Sequence, residues 1–288
     1  MRVFLVLMVS LAAILAPVSA MADPPDMRED QEAARSQDTE RSNQENNGFD
    51  ITRPQSSFEV RGLDQASSND TSKTNKAQML LRVESKIPLD VDWRLGVLAQ
   101  VPLVQKTTTD FEPQTADHEF GLGDTNFQVI VAHAIDERWA FGVGARVSAQ
   151  TGADSLGSGE WQVMPGLGVR YMLFELGQDS YFVPSMRYAM SIPGNPGARR
   201  ISEPQIAPTL NIDLPGPFFL TFYPSHDIRI NYGAPIAGQT GRLFLPFDAL
   251  IGARLTDKVQ FSLEGSVPIV KDYPVYNFKA EARLRIVF

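Results

Sequence analysis

No cysteine occurs among the 288 residues, which excludes a disulfide framework, a thiolate nucleophile or metal site, and the cysteine on which a lipid anchor is built. Histidine is almost as scarce, so imidazole chemistry is limited to His118, His133 and His226. Beyond the first two dozen residues no apolar run approaches the roughly eighteen that a spanning helix requires. Basic clusters are also missing, and a formal net charge of -8 argues against nucleic acid as a partner. With so few candidate ligands, neither a metal nor another cofactor is expected, and no set of catalytic residues stands out.

What is present begins with an export sequence. Arg2 precedes an apolar stretch from Val3 to Ala16, and Ala20-Met21-Ala22 follows before Asp23. This order predicts a cleavable secretory signal over 1–22, cut after Ala22 or, as second choice, after Ala20. Between Asp23 and Gly48 acidic residues outnumber basic ones eight to three and apolar side chains are almost absent. Such a segment buries too little surface to offset its ordering entropy, so 23–55 is expected to be a disordered acidic periplasmic tail. Its charge also allows a second role, as a plug entering a basic lumen.

From residue 56 onward the dominant signal is alternation. In the terminal segment, Phe278, Ala280, Ala282, Leu284, Ile286 and Phe288 share one face and Lys279, Glu281, Arg283 and Arg285 the other. Charges on one face of an exported strand fit a transmembrane barrel, apolar toward lipid and polar toward the lumen, better than a soluble sheet. About twelve such segments follow one another, joined alternately by short turns and long polar stretches, among them 105–119 and 192–202. The expectation is an all-β, transmembrane, antiparallel up-and-down barrel over 56–288, in the bacterial outer membrane and in contact with its lipid. Trp93, Trp139 and Phe218 would form one interfacial girdle, and Trp161 and Tyr276 the opposite one. Leu284, Ile286 and the final Phe288 resemble the signal by which barrel-assembly machinery recognises its substrates.

The parity of the strands assigns a lumen. Arg82, Arg94, Arg146, Arg170, Arg187, Arg229, Arg254, Arg283 and Arg285 face inward with Asp227, Asp248 and Glu264, as do Arg61, Lys86, Lys279, Glu59, Glu84, Asp213 and Glu281. Basic residues are in surplus. These groups either pair with one another and close a narrow barrel, or line a water-filled passage that favours anions. Gly142, Gly144, Gly166 and Gly168 also face inward, where they predict close packing or strong curvature. Ser225-His226-Asp227 resembles part of a hydrolytic triad, but neighbours on a regular strand point to opposite faces, which separates His226 from both flanking residues.

Gly121-Leu122-Gly123-Asp124-Thr125 and the run from Gly159 through Trp161, Pro165, Gly166 and Arg170 to Tyr171 resemble segments of the meta-pathway phenol-degradation family of outer-membrane barrels. Glu160 departs from the Asp expected before the tryptophan. The resemblance implies a transporter-like barrel that passes aromatic or other small hydrophobic compounds, and supplies no catalytic residue. The leading expectation is passive, porin-like transport of small solutes, with aromatic or anionic compounds as candidates. A structural or interaction barrel with a filled lumen is the alternative, and an outer-membrane lipid hydrolase built on His226 the third reading.

Overall fold

In the computed structural model, residues 48–288 are described apart from 69–70, 113, 154 and 193–197. The expected signal sequence, and the tail as far as residue 47, lie outside the described residues. The strand segments are β1 (Ser57–Ser68), β2 (Ser72–Pro88), β3 (Trp93–Asp110), β4 (Thr115–Leu122), β5 (Thr125–Ala134), β6 (Trp139–Ala149) and β7 (Trp161–Met172). They continue with β8 (Tyr181–Ile192), β9 (Ser202–Asp213), β10 (Phe218–Phe222), β11 (Ile228–Ile230), β12 (Leu243–Arg254), β13 (Val259–Lys271) and β14 (Phe278–Val287).

Consecutive segments pair antiparallel around the wall, and β14 returns to β1 through a ladder from Ser57↔Val287 to Ala66↔Phe278. Both β4 and β5 pair with β3, and both β10 and β11 lie between β9 and β12. The segments therefore fill twelve positions of a closed antiparallel barrel, as the alternation predicts. Closure satisfies the backbone groups that an open edge would expose to lipid.

The side chains are sorted inside out relative to a soluble sheet. On β13, Gln260, Ser262, Glu264 and Ser266 are buried, while Phe261, Leu263 and Val267 are exposed. Phe58, Met79, Phe127, Val143, Leu167, Met186, Phe247 and Leu284 continue the exposed apolar surface around the wall. A contiguous surface of this kind requires an apolar solvent. At the end carrying the short turns, Trp93 stacks on His133 at 4.3 Å between ring centroids and meets Phe141 edge-on, while Trp139 leans on Tyr171. That girdle matches expectation. Tyr276 does not join the opposite one: it is fully buried on the inside, packed against Phe244 and hydrogen-bonded to Ser266.

Two further expectations need correction. The polar stretch 105–119 is not a loop, because β3 runs to Asp110 and turns directly into β4, with Asp110 opposite Thr115. The β1–β2 ladder likewise continues to Ser68↔Lys73. β-Branched Thr107, Thr108 and Thr109 favour the extended backbone, and the Thr74 and Thr108 hydroxyls meet across it at 3.4 Å. At 17 and 18 residues, β2 and β3 make one side of the wall taller than the other. Conversely, the expected single strand from Phe218 to Tyr232 is broken between β10 and β11. Tyr223 there adopts a positive φ of 51° and Pro224 has no amide hydrogen to give a ladder.

Leu263 sits near the middle of β13 with its side chain toward lipid. Leu263→Arg is expected to lower the unfolding free energy by about 2–4 kcal/mol, measured by urea titration in lipid vesicles. Leu263→Ile should change it by less than about 1 kcal/mol.

Candidate functional site in the lumen

The first element of the site precedes the barrel. Residues 48–55, expected to be part of a disordered tail, instead cross the lumen near the end that carries Phe288. Asp50, Thr52, Arg53 and Gln55 are buried. The Asp50 carboxylate lies 3.5 Å from Arg170 Nη1 and accepts hydrogen bonds from the Thr52 amide and hydroxyl at 2.8 and 2.7 Å. Arg53 donates to the Met172 sulfur, and Phe49 lies under the Arg283 guanidinium at 4.6 Å. The wall is shaped to receive this strap. A Cβ on Gly168 would come within 2.6 Å of Ile51 Cδ1, and one on Gly96 within 2.7 Å of Pro54 Cβ. Two inward glycines, Gly142 and Gly168, thus provide the groove in which Ile51 lies. The earlier part of the tail, and with it most of the expected plug, lies outside the described residues.

The second element is a set of buried ion clusters along β12, β13, β14 and β1. Lys279 Nζ lies 2.5 Å from Asp227 and 3.3 Å from Asp248, and also contacts Glu264. The carboxylate oxygens of Asp227, Asp248 and Glu264 lie within 4.8 Å of one another, so the ammonium supplies the positive charge that keeps them together. Arg283 bridges Glu264 and Glu281, Arg61 bridges Glu59 and Glu281, and Arg229 holds Asp227 at 2.7 Å. Arg285 approaches Glu59 and Glu84, and Arg82 holds Glu84 at 3.0 Å. Above these clusters, loop side chains from Ile236 and Val275 pack onto the buried rings of Phe244, Tyr273 and Tyr276.

Beside these clusters lies a cavity of about 550 Å³, lined by β2, β3 and β5 to β8 and, on the cluster side, by Lys279, Glu281 and Arg283. Of the inward charged residues expected from the sequence, Arg61, Arg82, Arg146, Arg187, Arg229, Lys279, Arg283, Asp227 and Glu281 line it. Arg170 is tied to the strap, and Arg285, Asp248 and Glu264 stand within the ion clusters. Arg254 is held at the turn end by Asp179 and Asp213, and Arg94 stands opposite Pro88 near the start of β3. The lining also includes Lys76, which the sequence reading passed over. It shares the parity of Gln78 and Arg82 on β2 and could have been found from that alone.

The break at 223–227 changes the environment of His226. Ser225, His226 and Asp227 all line the cavity, contrary to the alternation expected of a regular strand. They still do not assemble a triad. His226 Nε2 meets Ser185 Oγ at 3.0 Å, Asp227 is engaged by Lys279 and Arg229, and no described carboxylate orients the other imidazole nitrogen.

Removing one member of the buried cluster leaves its partners uncompensated. Glu264→Gln is expected to cost about 3–5 kcal/mol of unfolding free energy in urea titrations in vesicles. Lys106→Gln, at the part-exposed pair with Glu119, should cost less than about 1 kcal/mol.

Comparison with known proteins places this geometry. Residues 63–191 match the family described as "Putative MetA-pathway of phenol degradation". A solved outer membrane channel from Pseudomonas putida F1 superposes with a TM-score of 0.64 at 14% identity, over 84% of this chain and 99% of that one. The transport unit of the autotransporter AIDA-I from Escherichia coli gives a TM-score of 0.50 at 10% identity, over 88% of this chain and 98% of that one. A search of curated protein sequences gives no significant match. Residues 63–191 are therefore similar to the phenol-degradation family, and the closed wall of twelve strands has the fold of outer-membrane β-barrels.

Proposed function

We propose that the barrel is a passive channel for small solutes, closed at its turn end by residues 48–55. The observation that carries this reading is the polar cavity of about 550 Å³, separated from the terminus end by a strap that crosses the lumen without belonging to the wall. Its ties include an ion pair, a cation–π contact, the Arg53 hydrogen bond to Met172 and the seats of Ile51 and Pro54, all reversible without breaking a strand ladder. The name of the similar Pseudomonas protein, a channel, supports the same reading. Small size and a basic surplus favour small anionic or aromatic solutes over large ones. On the outer face, exposed Leu284, Ile286 and Phe288 suit lipid contact and recognition by the assembly machinery.

A second reading, a structural barrel with a filled lumen, draws on the ion clusters of β12–β14, which occupy their side of the interior. Because the chain has no cysteine, a single engineered pair separates the two. With Ile51→Cys and Gly168→Cys together, oxidation should stop glycine entry into proteoliposomes and reduction should restore it. Equal entry in both states would count against a moving strap, and no entry in either the native or the reduced protein would favour the filled barrel.

A further inference from the structure

Most lumen cations are neutralised, but two arginines on the open side are not. Arg146 on β6 and Arg187 on β8 line the cavity and make no ion pair among the described residues. Each is held in the same way. Arg146 Nε donates to Oε1 of Gln128, its cross-strand partner on β5, at 2.9 Å. Arg187 Nε donates to Oε1 of Gln205, its cross-strand partner on β9, at 2.6 Å. A glutamine bond to Nε fixes the plane of a guanidinium while leaving its terminal nitrogens, the fork that receives a carboxylate, without a described partner.

Between the two arginines the wall of β7 is low on one side and apolar on the other. Gly166 lies opposite Arg187 on β8 and Gly144 on β6, so no side chain covers that position, and Met164, one inward position along β7, lies opposite Arg146. The carboxylates that line the cavity are engaged by other groups. Asp124 accepts from the Gly152 amide and from the Ser158 amide and hydroxyl. Asp227 and Glu281 belong to the ion clusters. Two like charges fixed on one buried wall repel one another, and a bound anion removes that cost. Beside the arginines, Met164, Ile130 and Leu156 add apolar surface to the lining.

We propose that Arg146 and Arg187 form a binding station for one small organic carboxylate with an apolar body, of the size of benzoate. The carboxylate sits between the two forks and its body lies over Met164 and Ile130. This rests on the channel reading only in that a solute must reach the cavity; the station itself is a property of the wall.

The test is equilibrium binding of radiolabelled benzoate to the full chain in lipid nanodiscs, with glycine flux in proteoliposomes measured separately. Saturable binding at one site per barrel is expected, weakened about tenfold by Arg146→Gln and by Arg187→Gln and unchanged by Lys106→Gln. Arg187→Lys, which keeps the charge and loses the fork, should also weaken it and serves if the glutamine variants fail to fold. Acetate should compete more weakly than benzoate, and benzyl alcohol, which has no charge, not at all. Absence of saturable binding, undiminished binding in the folded arginine variants, or equal competition by chloride or benzyl alcohol would overturn the proposal. Binding without glycine flux would leave the station in place and refute the channel reading; flux without binding would do the reverse.

Discussion

The seam between β1 and β14 is the constraint on which the rest depends. Its register sets Glu59 opposite Arg285 and Arg61 opposite Arg283, and closes the wall so that no strand edge meets lipid. Because side chains alternate with a period of two, a slip of one residue would carry Lys279, Glu281, Arg283 and Arg285 into the bilayer. The same four residues anchor the clusters that reach Glu264, Asp248 and Asp227 and, through Arg283 and Phe49, the strap. Closure, lumen charge and occlusion are thus one connected arrangement.

This arrangement divides the lumen. On the side of β12, β13, β14 and β1, ions pair and aromatic rings pack, filling the interior. On the side of β5 to β8, glycines replace bulky side chains, and Arg146 and Arg187 are held by glutamine rather than by carboxylate. Paired networks occupy one half of the lumen, and the proposed passage takes the other. The strap belongs to both halves, since Ile51 lies in the glycine groove and Phe49 against Arg283.

The wall was legible because strand pleat alone produces the period of two, so the faces of β13 and β14 could be assigned residue by residue. Inward glycines at 142 and 168 signalled close approach, but the partner, Ile51, is about a hundred residues away and no local pattern names it. Segment 48–55 has few apolar residues and reads as tail; its order comes from Arg170, Met172 and Arg283, which only the closed barrel brings together. Flanking alternation hides the break at Tyr223, of which Pro224 alone gives a sign, and with it the inward turn of His226. Tyr276 was misplaced because aromatic position along a strand does not reveal which way an adjoining loop folds.

The central claim is that residues 48–55 close a passage that the wall alone would leave open. Single-channel conductance in planar bilayers tests it most directly, comparing the full chain with a barrel that retains the export sequence but lacks residues 23–55. The account predicts a several-fold rise in conductance on deletion, with the barrel still intact. Unchanged conductance in a folded deletion variant would contradict it.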